Sequence, residues 1–359
     1  MNRSLFGRLA RDSRAAVTGP GARRECGADM SELPELLGTL RAFAIPMRTR
    51  FRGITTREAM LIRGDAGWGE FSPFLDYSGP ELVPWRRAAL EAATVGFPAP
   101  VRDRVPVNVT VPAVDAAAAH RIVTASGCST AKVKVAEPGQ PVSDDLDRVE
   151  AVRDALGPGG RVRVDANGGW DVATATDNLR MLGRFGLEYA EQPCRTTEEL
   201  AVLRRELARR GIDVPIAADE SIRRSGDPER VVQLEAADIA VLKVQPLGGV
   251  RACLRLAETL GLPVVVSSAL DTSVGLRAGV ALAAALPELP YACGLNTVRL
   301  FTDDVAATPL VARDGYLPVG EVDVDEAALD RLAPDAGTVD FWRARWDETA
   351  ALDAGGGTR

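Results

Sequence analysis

The sequence predicts an α/β fold: a (β/α)7β modified TIM barrel carrying a smaller α+β capping domain. Three observations lead there. Short β-rich runs recur from residue 105 onward, with helical stretches between them. Each run closes on a polar, ionisable or small residue. The chain before residue 103 reads differently, as antiparallel strands followed by a helix. Strands that alternate with helices pair in parallel through right-handed crossovers.

In chain order, residues 1–29 carry six Arg against three acidic residues and no long apolar run, so they do not read as a secretory signal. They are expected to be a disordered extension, with Met30 beginning the folded chain. LRAFAIPMR (40–48) and REAMLIRGDAGWGEFS (57–72) read as strands with a Gly/Asp turn, and PELVPWRRAALEAAT (80–94) as an amphipathic helix. Eight strand runs follow: VPVNVTV (105–111), AKVKV (131–135), RVRVD (161–165), LEYAE (187–191), VPIAAD (214–219), DIAVLK (238–243), PVVVSS (263–268) and LPYACG (289–294). Helical stretches lie between them, among them SDDLDRVEAVRDALG, TEELAVLRRELARRG and GGVRACLRLAETLG. The last two end on Gly, as a helix C-terminus favours. Eight such units imply a barrel. A doubly wound open sheet would want a Gly-rich phosphate loop after its first strand, and VNVTVPA has none. The capping domain is expected over 30–103, the barrel over 104–299 and a flexible tail over 351–359.

Composition narrows the function. The 359 residues are 46% hydrophobic and 26% charged, ordinary for a soluble globular protein. No run of 18 apolar residues is present, which argues against a membrane span. The net charge of -7 argues against nucleic acid, whose phosphates want a basic face. The five cysteines are scattered without a CxxC pair, which reads as reduced thiols in a cytoplasmic protein. The single histidine, His120, lies in AAAAHRIV, a predicted exterior helix, so a His-rich zinc site is excluded. Only three of the 43 basic residues are Lys, namely Lys132, Lys134 and Lys243; the rest are Arg. Arg keeps its proton in proteins whereas a partly buried Lys can release one, so Lys is kept where Arg cannot serve.

Those lysines and three acids close successive strands. Lys132 and Lys134 lie on the second, Asp165 on the third, Glu191 on the fourth, Asp219 on the fifth and Lys243 on the sixth. In such a barrel the C-terminal strand ends form the site. Three converging carboxylates need a cation, and hard oxygen ligands without His or Cys suit Mg2+. Lys132 and Lys134 share one side of their strand, and two ammonium groups beside a cation depress each other's pKa. Lys243 is expected across the cavity, giving one lysine group on each face of a small-molecule carboxylate substrate. Arg161 and Arg163 share the inward parity of Asp165; Arg163 is expected to brace the metal ligands or to hold a carboxylate. A metal-bound carboxylate and a lysine base suit removal of the proton α to that carboxylate, with charge developing as an enediolate.

The motifs AKVKV, VDANGGW, YAEQP, AADES and LKVQPLGG, in this order, resemble the enolase superfamily, muconate-lactonizing-enzyme subgroup. SSALDTSVGL (267–276), ACGLNT (292–297), IPMRTRFRGITTREAMLIRG and WGEFSPFLDY are similar to the o-succinylbenzoate synthase family in its actinobacterial form. The likeness covers about residues 33–320. It implies a capping domain completed by the C-terminal segment of about 300–350. It also implies Asp165, Glu191 and Asp219 as ligands of Mg2+ or, in its place, Mn2+. Lys134 matches the acid/base, Lys132 its electrostatic neighbour and Lys243 the opposite-face lysine. Asn167 and Gln192 sit beside ligands. Ser267, Ser268 and Gly294 match the wall that receives a succinyl group, and Phe74 and Leu75 the apolar cover of the capping loop. The implied reaction is a hydro-lyase dehydration through a metal-stabilised enediolate, belonging to menaquinone biosynthesis. An N-succinyl amino acid racemase or another Lys/Lys racemase or cycloisomerase would use the same residues. A binding barrel with a vestigial site would lack a ligand or a lysine, and none is missing. Monomer and homo-oligomer both stay open.

Overall fold

The computed structural model describes residues 39–224 and 226–355. The expected extension 1–29, the start at Met30 and residues 356–359 lie outside them. Three antiparallel strands open the described chain in the order β1 (Arg41–Phe51), β2 (Ile54–Gly64) and β3 (Gly67–Phe71). The β1–β2 hairpin turns through Arg52 and Gly53, both at positive φ (50° and 81°). Helix α1 (Val83–Leu90) follows a 3-10 turn and runs into a π turn at Glu91–Val95.

The run at 105–111 divides in two. Pro106, with no N–H to continue a ladder, closes β4 (Arg104–Pro106), and the chain resumes as β5 (Val109–Val111). The barrel sheet is parallel and ordered β5 to β11 without interruption. Its later strands are β6 (Thr130–Lys134), β7 (Arg161–Asp165), β8 (Leu187–Glu191), β9 (Ile216–Ala218), β10 (Ile239–Lys243) and β11 (Val264–Ser267). The eighth expected strand shrinks to two parallel bridges, Val107 with Cys293 and Ser267 with Gly294. They close the ring between β5 and β11, Gly294 N donating to Val266 O at 2.8 Å. A Cβ on Gly294 would come within 2.5 Å of Ser267 Oγ, so this approach requires glycine.

Helices α2 (Ala116–Thr124), α3 (Val142–Leu156), α4 (Val172–Leu182) and α5 (Thr197–Arg210) connect the first five strands. Between β9 and β10 only two short turns form, α6 (Glu220–Arg223) and α7 (Arg230–Gln233). Then come α8 (Val250–Leu260) and α9 (Ser273–Ala285). Local chemistry sets the helix ends. Thr196 and Glu199 cap α5 reciprocally, and Gly211 and Gly261 end α5 and α8 in the left-handed conformation. No helix among the described residues is long and apolar enough to cross a membrane.

The C-terminal part returns to the first sheet. β12 (Tyr316–Pro318) pairs antiparallel with β4, and α10 (Glu326–Arg331) precedes α11 (Ala336–Gly355). Trp342 and Trp346 of α11 meet Phe71 edge-on, with ring centroids 6.3 and 5.2 Å away. Residues 351–355 of the expected flexible tail are the last turn of this helix. Two glutamates then tie the capping sheet region to the barrel. Glu91 accepts from the Val250 and Arg251 amides at the start of α8, whose Gly249 offers no side-chain cap. Glu70 accepts from the Thr272 and Gly275 amides at the start of α9. Carboxylates at helix N-termini satisfy orphan N–H groups and the helix dipole together.

Candidate active site

The parallel register places the reactive residues side by side. Lys134, Asp165 and Glu191 occupy one row across β6, β7 and β8, and Lys132 lies in the row of Arg163. Asp219 follows β9 directly, and Lys243 ends β10 beside Ser267 of β11. All six are more than nine-tenths buried or nearly so, because the capping region covers the barrel mouth. Four of them, Lys132, Lys134, Asp165 and Lys243, line one tight cavity of about 30 Å³.

Each acid holds a cation. Lys132 Nζ lies 2.8 Å from both Glu191 oxygens and 3.5 Å from Asp165 Oδ2. Lys134 Nζ lies 2.5 Å from Asp165 Oδ2 and 2.6 Å from Asn167 Oδ1, with the Phe51 ring 5.4 Å away. Lys243 Nζ lies 2.6 Å from Asp219 Oδ2, and Arg223 Nε donates to Asp219 Oδ1 at 2.9 Å. Burial opposes ionisation of Asp165 and Asp219, but Lys134 and Lys132 at the first, and Arg223 and Lys243 at the second, hold them well below the usual carboxylate range. Glu191 goes the other way. Burial, and then the Asp165 charge, push it up to about 7. Burial lowers Lys243. Lys132 corrects the lysine argument: burial lowers it, yet Glu191 and Asp165 outweigh burial and the neighbouring ammonium, and its value rises.

Among the described residues no three Asp, Glu, His or Cys side chains form a group placed to hold a metal ion. The expected ligands Asp165, Glu191 and Asp219 are instead neutralised by lysine and arginine, the nearest cations to three buried anions. Their chemistry still fits a hard divalent cation. They are buried carboxylates on three successive strand ends, the hard oxygen donors such an ion takes.

The neighbours of the ligand strands are fixed tightly. Gln192 Oε1 accepts from the Asp219 and Ser221 amides at 3.0 and 3.1 Å, and its Nε2 donates to Ser221 Oγ and Cys194 O. Asn167 Nδ2 faces Glu220 Oε1 at 3.3 Å while its oxygen meets Lys134. Ser267, Ser268, Gly294 and Phe74 line the cavity.

Three expectations change. Leu75 is 65% exposed and covers nothing. Arg163 neither lines the cavity nor reaches a ligand. One row below, it donates to Glu188 Oε2 and Ala292 O at 2.6 Å and to Asn108 Oδ1 at 3.1 Å, with Tyr189 under its guanidinium. Arg161, at the start of β7, is exposed. His120 lies on the exterior, its Nε2 3.4 Å from Asp154. The described cysteines are buried and unpaired, and burial pushes the Cys194 thiol up to about 12.

The sequence reading missed Phe51, Arg52, Thr110 and Thr297, which line the cavity, and the Arg223–Tyr77 contact that joins Asp219 to the capping loop. Strand parity on β5 pointed to Thr110, and the i, i+4 spacing from Asp219 pointed to Arg223. Nothing local marked the hairpin tip.

Two family models match, an enolase N-terminal domain-like one over residues 42–93 and an enolase C-terminal domain-like one over residues 114–323. The o-succinylbenzoate synthase of Thermobifida fusca is 65% identical over 307 residues, 86% of this chain and 94% of the relative. That of Mycobacterium leprae is 54% identical over 312 residues, 86% and 91% of the two chains. A solved muconate lactonizing enzyme from Pseudomonas fluorescens, complexed with muconolactone, shares the fold at a TM-score of 0.70 and 24% identity, covering 82% of this chain and 98% of its own. An N-succinyl Arg/Lys racemase from Bacillus cereus does so at 0.69 and 22%, covering 82% and 97%. With both domain models matched and these synthases aligned along nearly their full length, the chain belongs to the enolase superfamily and, within it, to the o-succinylbenzoate synthase family.

Proposed function

We propose that the chain dehydrates 2-succinyl-6-hydroxy-2,4-cyclohexadiene-1-carboxylate to 2-succinylbenzoate, as a cytoplasmic enzyme of menaquinone biosynthesis. The observation that carries the reading is one cavity lined by Lys134 from β6 and Lys243 from β10, with Asp165 among its walls. The 65% identical synthase relative supports the substrate.

Lys134 Nζ, held by Asn167 Oδ1, takes the ring proton next to the substrate carboxylate. The resulting ammonium returns that proton to the departing hydroxyl on the same face. Water leaves and the ring becomes aromatic. Lys243, lowered by burial but paired with Asp219, offers positive charge on the other face while negative charge develops. Lys132 sits between Glu191 and Asp165 and holds both side chains in place. Asp165, Glu191 and Asp219 are the residues that would hold Mg2+, or Mn2+ in its place, and the bound cation supplies positive charge beside the substrate carboxylate. Ser267, Ser268, Gly294 and Phe74 form the wall for the succinyl arm.

The test is to add the diene and Mg2+ and follow the aromatic product by ultraviolet absorbance. Product is expected from the wild-type chain, and its absence overturns the reading. A second reading, racemisation of N-succinyl amino acids, is favoured by the lysines on opposing strands and by the fold shared with the Bacillus cereus racemase. It predicts α-proton exchange in D2O that disappears in Lys243→Arg while some dehydration survives.

A further inference from the structure

We propose that Arg57, in the capping sheet, is the positioning residue that presets the succinyl-binding wall, an inference that rests on the dehydration reading. Arg57 lies on β2 opposite Ile45 and is 2% exposed. Its guanidinium forms no ion pair within 4 Å among the described residues. Its donors go to backbone carbonyls of two separate loops. Nε reaches Leu270 O at 2.9 Å, and Nη2 reaches Ala269 O at 3.3 Å and Ser72 O. Its plane also lies over Phe74, 4.6 Å from the ring centroid. Phe74, Ala269 and Leu270 all line the cavity, so one side chain ties the capping loop to the loop after β11.

The held loop is strained. Leu270 adopts a φ of 62°, a left-handed conformation costly for a branched residue. Such a conformation persists only where its surroundings over-determine it. Here Arg57 holds its carbonyl, Asp271 Oδ2 accepts the Ala269 amide at 3.0 Å, and Glu70 accepts the Thr272 amide at 3.1 Å. Glu70 and Asp271 also balance the buried Arg57 charge at longer range. A planar fork can span two loops, which a single ammonium cannot.

The experiment uses the full chain with Mg2+ and Arg57→Lys. Loss of hydrogen bonds from a charged donor predicts a KM for the diene raised about 10–100-fold, with kcat changed by less than about threefold. Calorimetric Kd for 2-succinylbenzoate should weaken by a similar factor. Benzoate, which lacks the succinyl arm, should bind unchanged. Unaltered KM and Kd in the folded variant would overturn the proposal, as would equal weakening of benzoate. Hydrogen exchange on the wild type needs no variant. Amides of residues 268–272 should be protected before ligand is added, and free exchange there would overturn the proposal even if Arg57→Lys fails to fold. Wild-type turnover, measured in parallel, separates the two readings: no turnover, with a protected loop and variant-sensitive binding of 2-succinylbenzoate, fails the reaction and keeps the clamp.

Discussion

The same strands bury charge at two levels, and the two levels are built differently. In the upper row, Lys134, Asp165 and Glu191 stand together, Lys243 pairs with Asp219, and Lys132 extends from the row below to Glu191. In the lower row, Arg163 is enclosed by Glu188, Asn108, Ala292 O and Tyr189. Lysine stands where a charge has to move or change partner. Arginine stands where it has to stay. The lower site fixes the shape of the barrel, whereas the upper one keeps pairs that a substrate can rearrange. Three lysines among 43 basic residues, each with its ammonium on a carboxylate of the site, follow from that division.

The sharpest way to break this comparison is Lys134→Arg. Dehydration should fall by at least about 10²–10⁴-fold with the melting temperature nearly unchanged, because the guanidinium keeps the charge but returns no proton. Turnover near wild type would erase the distinction between the levels. Removing divalent metal with a chelator should abolish turnover in the same way, and Mg2+ should restore it. Far-ultraviolet circular dichroism should not move, since lysines already neutralise the acids.

At the lower level the outcome should invert. Arg163→Met leaves Glu188 and Asn108 without their donor and should cost about 2–4 kcal/mol in denaturant unfolding, with kcat held within about twofold. A large loss of kcat without loss of stability would put Arg163 back among the substrate residues.

A subtler effect tests the interface between capping sheet and barrel. Burial, then Asp271, push Glu70 up to about 7. A carboxyl raised in the folded state stabilises the fold below its unfolded value and loses that contribution as pH rises through the folded one. Stability should therefore decline between about pH 4.5 and 7, and Glu70→Gln should flatten the decline. The smallest expected effect is Leu75→Ala, within about 0.5 kcal/mol and without change in KM, because the side chain is 65% exposed.

By itself the sequence determined the alternation of strands and helices and the residues that end each strand. Both are short-range signals: one residue in two faces the barrel interior, and each unit contributes one strand end. Lys132, Lys134, Asp165, Glu191, Asp219 and Lys243 were legible for that reason. Only the tertiary structure decided which of them pair, setting Lys132 against Glu191, Lys134 against Asp165 and Lys243 against Asp219. It alone reduced the eighth strand to two bridges, because that closure depends on Gly294 meeting Ser267 across the ring. It alone sent Arg163 to Glu188 and turned Leu75 outward, since parity gives a side without giving a depth or a partner. The clamp of Arg57 on Leu270 joins residues 213 apart, and the Glu70 contact to Thr272 joins residues 202 apart. No local pattern encodes such a pair, because it forms only when two separately folded surfaces bury their charges against each other.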